Sequence, residues 1–191
     1  MKKLLFVPFC LILLGSNAQK FRGLDKSPLD MSYYPYYAAH DLPFVKTADD
    51  KAAKMTKVKI VYSRPAAKGR EIFGGLVKYG KPWRLGANET TEVTFYTPVR
   101  IGDEMLFPGT YAMYITPEKD SWTLAFHPTV NGWGVYNFDF SKDLASLKAI
   151  PTKSGETIEN LSIVMYKAES GNVHIKIGWG DSVAEFPITL L

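Results

Sequence analysis

The chain has 191 residues, a formal net charge of +4 and one cysteine. That length holds one domain with a sizeable core. A single cysteine excludes an internal disulfide framework, and the absence of a Lys/Arg block argues against nucleic acid as a partner.

Taken in chain order, Lys2 and Lys3 precede an apolar run over residues 4–14, broken only by Pro8, and Ser16-Asn17-Ala18 follows. The order basic, apolar, small is that of a secretory signal peptide, here residues 1–18 with cleavage after Ala18. The run is too short to span a bilayer as a helix. Cys10 follows Phe9 inside it and reads as part of the apolar segment, not as a lipid attachment site. Cleavage leaves 191 − 18 = 173 residues, no cysteine, and a charge of +4 − 2 = +2. No second apolar stretch of spanning length follows, so no integral membrane segment is expected after cleavage. The expected location is secreted or periplasmic.

Residues 19–56 read as an N-terminal arm and residues 57–191 as a β-sandwich domain that forms one unit with it. Within the arm, LDMSYYPYYAAHDLPF (residues 29–44) sets four tyrosines in the five positions around Pro35. So many large aromatics do not suit a disordered tail. The expected role is an arm packed over a sheet face with its hydroxyls at the solvent edge; the alternative is an exposed aromatic platform for a sugar or peptide. Residues 49–55 (DDKAAKM) predict a short exposed helix.

From residue 57 onward, side chains alternate. Val58, Ile60 and Tyr62 share one face and Lys57, Lys59 and Val61 the other, which predicts a half-buried strand. Further strands are predicted over 92–97, on both sides of a Gly102-Asp103 turn within 99–107, and over 110–116, with 121–127 as its hairpin partner. Later strands are expected at 147–151, 158–166, 173–179 and 183–190, the last two parted by a turn at Gly180-Asp181. Many short strands with turn signals between them predict an all-β fold, an antiparallel β-sandwich with a long irregular connection and the tyrosine-rich arm.

That connection, residues 62–89 (YSRPAAKGREIFGGLVKYGKPWRLGANE), concentrates polar chemistry. Long segments without regular structure inside a compact domain are usually functional. Its sequence, with DKSPLDMSYYP before it and PGTYAMYITP, WTLAFH and NGWGVYNFD after it, resembles the DUF2911 family of bacterial proteins with no assigned function, over residues 24–191. Lys81-Pro82 departs from the family's more apolar approach to the Trp-Arg pair. The resemblance implies an exported, β-rich single domain and adds no chemistry.

Five chemistries can be weighed on the residues themselves. Gly75 to Lys81 nearly spells a phosphate-binding loop, but Pro82 stands where a hydroxyl for magnesium is needed and has no N–H to offer. The three histidines, His40, His127 and His174, lack ligand-pair spacing, so no metal or other cofactor is expected. Ser63 is the lone serine of the motif and has no nucleophile elbow around it; it is expected to bond backbone. Arg64, Arg70, Arg84, Glu71 and Glu89 are close enough in sequence to form either a structural network or an anion site in which Glu89 is held by Arg84 or Arg70. Trp133, between glycines in Asn131-Gly132-Trp133-Gly134, either stacks on a sugar with Tyr136 or plugs an end of the sandwich, and the plug is the expected role. The candidate binding residues are therefore Arg64, Arg70, Trp83, Arg84, Asn88, Glu89, Trp133 and Tyr136. The expected function is a non-enzymatic extracytoplasmic or envelope-associated protein that binds an anionic glycan or a protein partner. The alternatives are a hydrolase using Glu89 beside an arginine-stabilised anion, and a purely structural module.

Overall fold

The computed structural model describes residues 20–191, so the expected signal peptide and Cys10 lie outside the described residues. Ten strands form two antiparallel sheets that do not close, a β-sandwich. They are β1 (Leu29–Tyr34), β2 (Val58–Ser63), β3 (Glu92–Phe95), β4 (Val99–Ile101), β5 (Glu104–Leu106), β6 (Gly109–Pro117), β7 (Trp122–His127), β8 (Ala145–Ala149), β9 (Thr152–Lys167) and β10 (Val173–Leu190). The larger sheet runs β1-β2-β3-β6-β7-β8 and the smaller β5-β4-β10-β9.

The alternation read in β2 sets its faces: Val58, Ile60 and Tyr62 are buried while Lys59 and Val61 are half-buried. Trp122, Leu124 and Phe126 of β7 point the same way and meet Leu161, Ile163, Ile175, Ile177 and Phe186 of the smaller sheet in one core. β7 is buried on its other face as well, because Phe138 stacks on His127 at 4.2 Å and the rings of Phe138 and Phe140 lie beside Tyr114. Two short helices, α1 (Ala38–Asp41) and α2 (Ala48–Lys54), lie between β1 and β2. The Thr47 hydroxyl caps α2 by accepting the Asp50 N–H at 3.1 Å, where the sequence places a short exposed helix.

Two expectations change. Residues 29–34, expected within an arm over a sheet face, form an edge strand that pairs with β2 along its whole length, from Leu29↔Ser63 to Tyr34↔Val58. Gly180-Asp181, expected as a turn, lies inside one continuous strand. Gly180 adopts φ 63° and the register with β9 shifts on either side of it. The extra residues lie on β9, which advances from Ser162 to Ile158 and then to Lys153 while β10 advances only from Gly178 to Gly180 and Ser182, so the ladder bends at Gly180 without ending.

On the smaller sheet, Glu185 accepts hydrogen bonds from the Tyr166 hydroxyl and Lys176 Nζ (2.9 Å), and His174 Nδ1 lies 3.2 Å away. Burial pushes this carboxyl up, but the Tyr166, Lys176 and His174 contacts outweigh it and hold the folded pKa at about 2, against an ordinary value of 4.5. A carboxylate with a depressed folded pKa adds stability above its unfolded value and loses it as pH falls toward the folded one. Glu185→Gln should therefore flatten the stability profile between pH 4.5 and about 2, measured by urea unfolding across that window. An unchanged acid slope would mean that the cluster does not carry it.

Candidate functional site

The connection between β2 and β3 is built from the inside outward. Ile72, Phe73, Val77 and Leu85 are buried and belong to the sandwich core. Phe73 packs on Trp122 of the larger sheet with ring centres 4.1 Å apart, and Trp83 stacks on Trp179 of the smaller sheet at 5.4 Å and 15°. Backbone bonds in both directions join Trp83 to Ile115, so the connection prolongs the sheet along β6 beyond the end of β3. Trp83 is thus consumed by packing. Left-handed residues Lys68, Leu85 and Asn88 (φ 53°, 54° and 62°) bend the path, so the candidate binding residue Asn88 serves a turn.

The charged residues of the motif do not meet as one network. Arg64 donates from all three nitrogens: Nε to the Leu161 carbonyl (3.0 Å), Nη1 to Asp30 (2.8 Å) and Nη2 to the Ser162 hydroxyl (2.9 Å). It ties β1 to β9, one strand from each sheet. Arg70 turns back on its own loop, donating to the carbonyls of Ala67 (2.8 Å) and Ala66 (2.6 Å). Among the described residues neither Arg70 nor Arg84 forms an ion pair with Glu89. Ser63, expected to bond backbone, is buried with its hydroxyl unpaired among the described residues, which also leaves it no access to a substrate.

What the structure does assemble is Arg84, Glu89, Trp133 and Tyr136. Glu89 and Trp133 form an isolated antiparallel bridge. The Arg84 side chain lies along the backbone of Gly134, where an added Cβ would stand 3.1 Å from Arg84 Cδ and 3.5 Å from the Tyr136 ring. A side chain there would have to displace Arg84 and hold a left-handed φ of 61°. The loop is anchored at several points. Thr90 donates its N–H to the Gly132 carbonyl (3.1 Å) and its hydroxyl to the Gly134 carbonyl (2.6 Å), and the Asn131 N–H donates to Glu92. His127 accepts the Thr129 N–H at Nδ1 and lies 3.1 Å through Nε2 from the Asp139 carbonyl, which places the proton on Nε2. On this fixed loop Trp133 is 58% and Tyr136 67% exposed. Trp133 does not plug the sandwich.

A family model described as a protein of unknown function (DUF2911) matches residues 45–188. The chain belongs to the DUF2911 family. No curated protein and no solved structure matches it. The family match covers the irregular connection and the Trp133 loop but leaves out β1 and the tyrosine-rich turn, so it is narrower than the extent from residue 24 read in the sequence. In this DUF2911 protein no group of three His, Cys, Asp or Glu side chains that could hold a metal occurs among the described residues. Sequence reading missed Thr90, Glu92 and Asn131 as the anchors of the aromatic loop. The Asn131-Gly132 pair, a strong turn signal, marks where that loop is pinned. It missed Asp30 as the partner of Arg64, for which no local signal exists across 34 residues.

Proposed function

We propose that this DUF2911 protein is a non-enzymatic extracytoplasmic glycan-binding protein whose Trp133 and Tyr136 stack on sugar rings while Arg84 donates to a hydroxyl or acid group of the ring. The observation that carries this reading is the exposure of Trp133 on a loop held by backbone and side-chain bonds. Large aromatics with two rotatable angles give contact area at low entropic expense when the loop beneath them is already ordered. The N-terminal signal pattern supports a location outside the cytoplasm, where glycans are the abundant polymer. The hydrolase alternative needs Glu89 beside a cation that holds an anion, and neither Arg84 nor Arg70 pairs with Glu89 among the described residues. The structural alternative accounts for Arg64, Arg70 and Trp83 but not for an exposed tryptophan.

The four tryptophans give a direct readout, because Trp122 and Trp179 are buried, Trp83 is packed between the sheets, and Trp133 is exposed. Titration with soluble polysaccharides, neutral (dextran, laminarin) and uronate-rich (alginate, polygalacturonate), should blue-shift the emission and protect it from acrylamide. Trp133→Ala should weaken binding about tenfold or more with an unchanged thermal midpoint. Equal binding by that variant, or no response to any of the polysaccharides, would sink the proposal.

A further inference from the structure

We infer that the cleft on the open side of the sandwich, between β1 and β9, is a second binding site, for one neutral hydroxylated ring of pyranose size. No residue of it belongs to the Trp133 loop, so it stands or falls separately from the proposal above.

The cleft exists because the sheets do not close. β1 is the outer strand of the larger sheet and β9 that of the smaller, and a space of about 410 Å³ lies against both. That is within the range of roughly 300–1,000 Å³ found for small-ligand sites. Tyr36, Tyr37 and His40, from the turn after β1 and from α1, form its aromatic side. Tyr36 and Tyr37 sit with ring centres 4.1 Å apart and are 60% and 59% exposed. Tyr37 holds φ 63°. A bulky side chain rarely adopts that region, and such strained residues cluster at ligand sites. The polar side is Arg64, Asp30 and Ser162, joined by the bonds described above.

Two unpaired sheet edges could instead invite a peptide strand, but side chains already occupy backbone groups at the middle of each edge. The Met31 N–H donates to the carboxylate of Asp30 (2.8 Å), the Ile163 N–H to the Tyr62 hydroxyl (3.0 Å), and the Leu161 carbonyl accepts from Arg64 Nε. Edges capped at these points offer an incoming strand an interrupted ladder. What remains is side-chain chemistry. Arg64 uses three of its five N–H groups, leaving 5 − 3 = 2, and Asp30 keeps lone pairs free. Donor and acceptor therefore stand side by side, fixed 2.8 Å apart. Adjacent ring hydroxyls, each able to give and accept a hydrogen bond, match that pair. The two charges neutralise each other, so the cleft gives no advantage to an acid or an amine. The tyrosine rings meet the apolar C–H face that a pyranose presents on its other side.

Amide-resolved NMR titration of the purified protein with glucose, galactose and N-acetylglucosamine, against glucuronate and p-cresol, decides the matter. At least one neutral sugar should shift the amides of Met31, Ser162 and Ile163 with half-saturation near about 1 mM. Tyr37→Ala, and independently Tyr36→Ala, should weaken that response about fivefold, while Trp133→Ala leaves it intact. No shift from any neutral sugar, shifts from glucuronate or p-cresol alone, or full binding by both folded tyrosine variants would overturn the inference.

Discussion

Trp179→Ala should lower the stability of the protein by about 3–5 kcal/mol, the range for emptying a large buried aromatic site. For a domain of this length that is a fall of roughly 6–20 °C in thermal midpoint. Trp179 is 1% exposed, stacks on Trp83, and donates its indole N–H to the Glu159 carbonyl at 3.2 Å. Its removal leaves a cavity and a Trp83 without its neighbour, while the Glu159 carbonyl keeps its bond from the Ala67 N–H at 2.7 Å. Because Trp83 carries backbone bonds to Ile115, the loss should spread into the irregular connection. Calorimetry on Trp179→Ala, Trp83→Ala and the double variant would show it: the stacked pair should couple by about 0.5–1.5 kcal/mol. A loss below about 1 kcal/mol for Trp179→Ala would show that the surrounding core collapses into the space.

The second large effect separates two residues that the sequence places in one motif. Arg64→Ala should cost about 1.5–3 kcal/mol, the range for hydrogen bonds to charged groups. It removes three bonds at once and unties β1 from β9, although the Arg64 side chain is 35% exposed and the ion pair with Asp30 is correspondingly screened. Glu89→Ala should fall within about 0.5 kcal/mol of the parent, as for surface substitutions without a partner. Urea unfolding of both variants, with Arg64→Lys as an intermediate, tests the pair. Equal losses would mean that Glu89 is held by something other than its backbone bridge to Trp133; no loss at Arg64 would mean that the two sheets need no clasp at that edge.

How much of this was legible beforehand depended on range. β2 was readable because alternation of Val58, Ile60 and Tyr62 is a local property that survives any arrangement of neighbours. The β6–β7 hairpin was readable for the same reason, with Pro117-Glu118-Lys119-Asp120 between two alternating runs. β1 was not: the tyrosines around Pro35 resemble a packed arm as much as a strand, and only pairing with β2 settles which. Glycine beside aspartate permits a turn at Gly180; pairing with β9, whose extra residues bulge opposite it, keeps the strand continuous instead. Within the candidate site, the residue types were visible and their grouping was not. Arg64, Arg70 and Arg84 lie within 21 positions and end in three different environments: Arg64 leaves the end of β2 toward β1 and β9, Arg70 folds back on Ala66 and Ala67 after the bend at Lys68, and Arg84 runs along Gly134.

The sequence by itself determined the class: a cysteine-poor chain of alternating strands joined by Gly, Pro and Asn turns, with one polar-rich irregular connection. Composition and side-chain periodicity are local, and a strand needs little more than them to declare its faces. Tertiary structure alone decided which polar groups are used up and which stay free. Arg64 is engaged because Asp30 and Leu161 arrive from strands 34 and 97 residues away, and Trp133 is exposed because Thr90 holds its loop outward. Satisfying a hydrogen bond depends on distance in space, and the register of two sheets sets that distance only once the whole chain has folded.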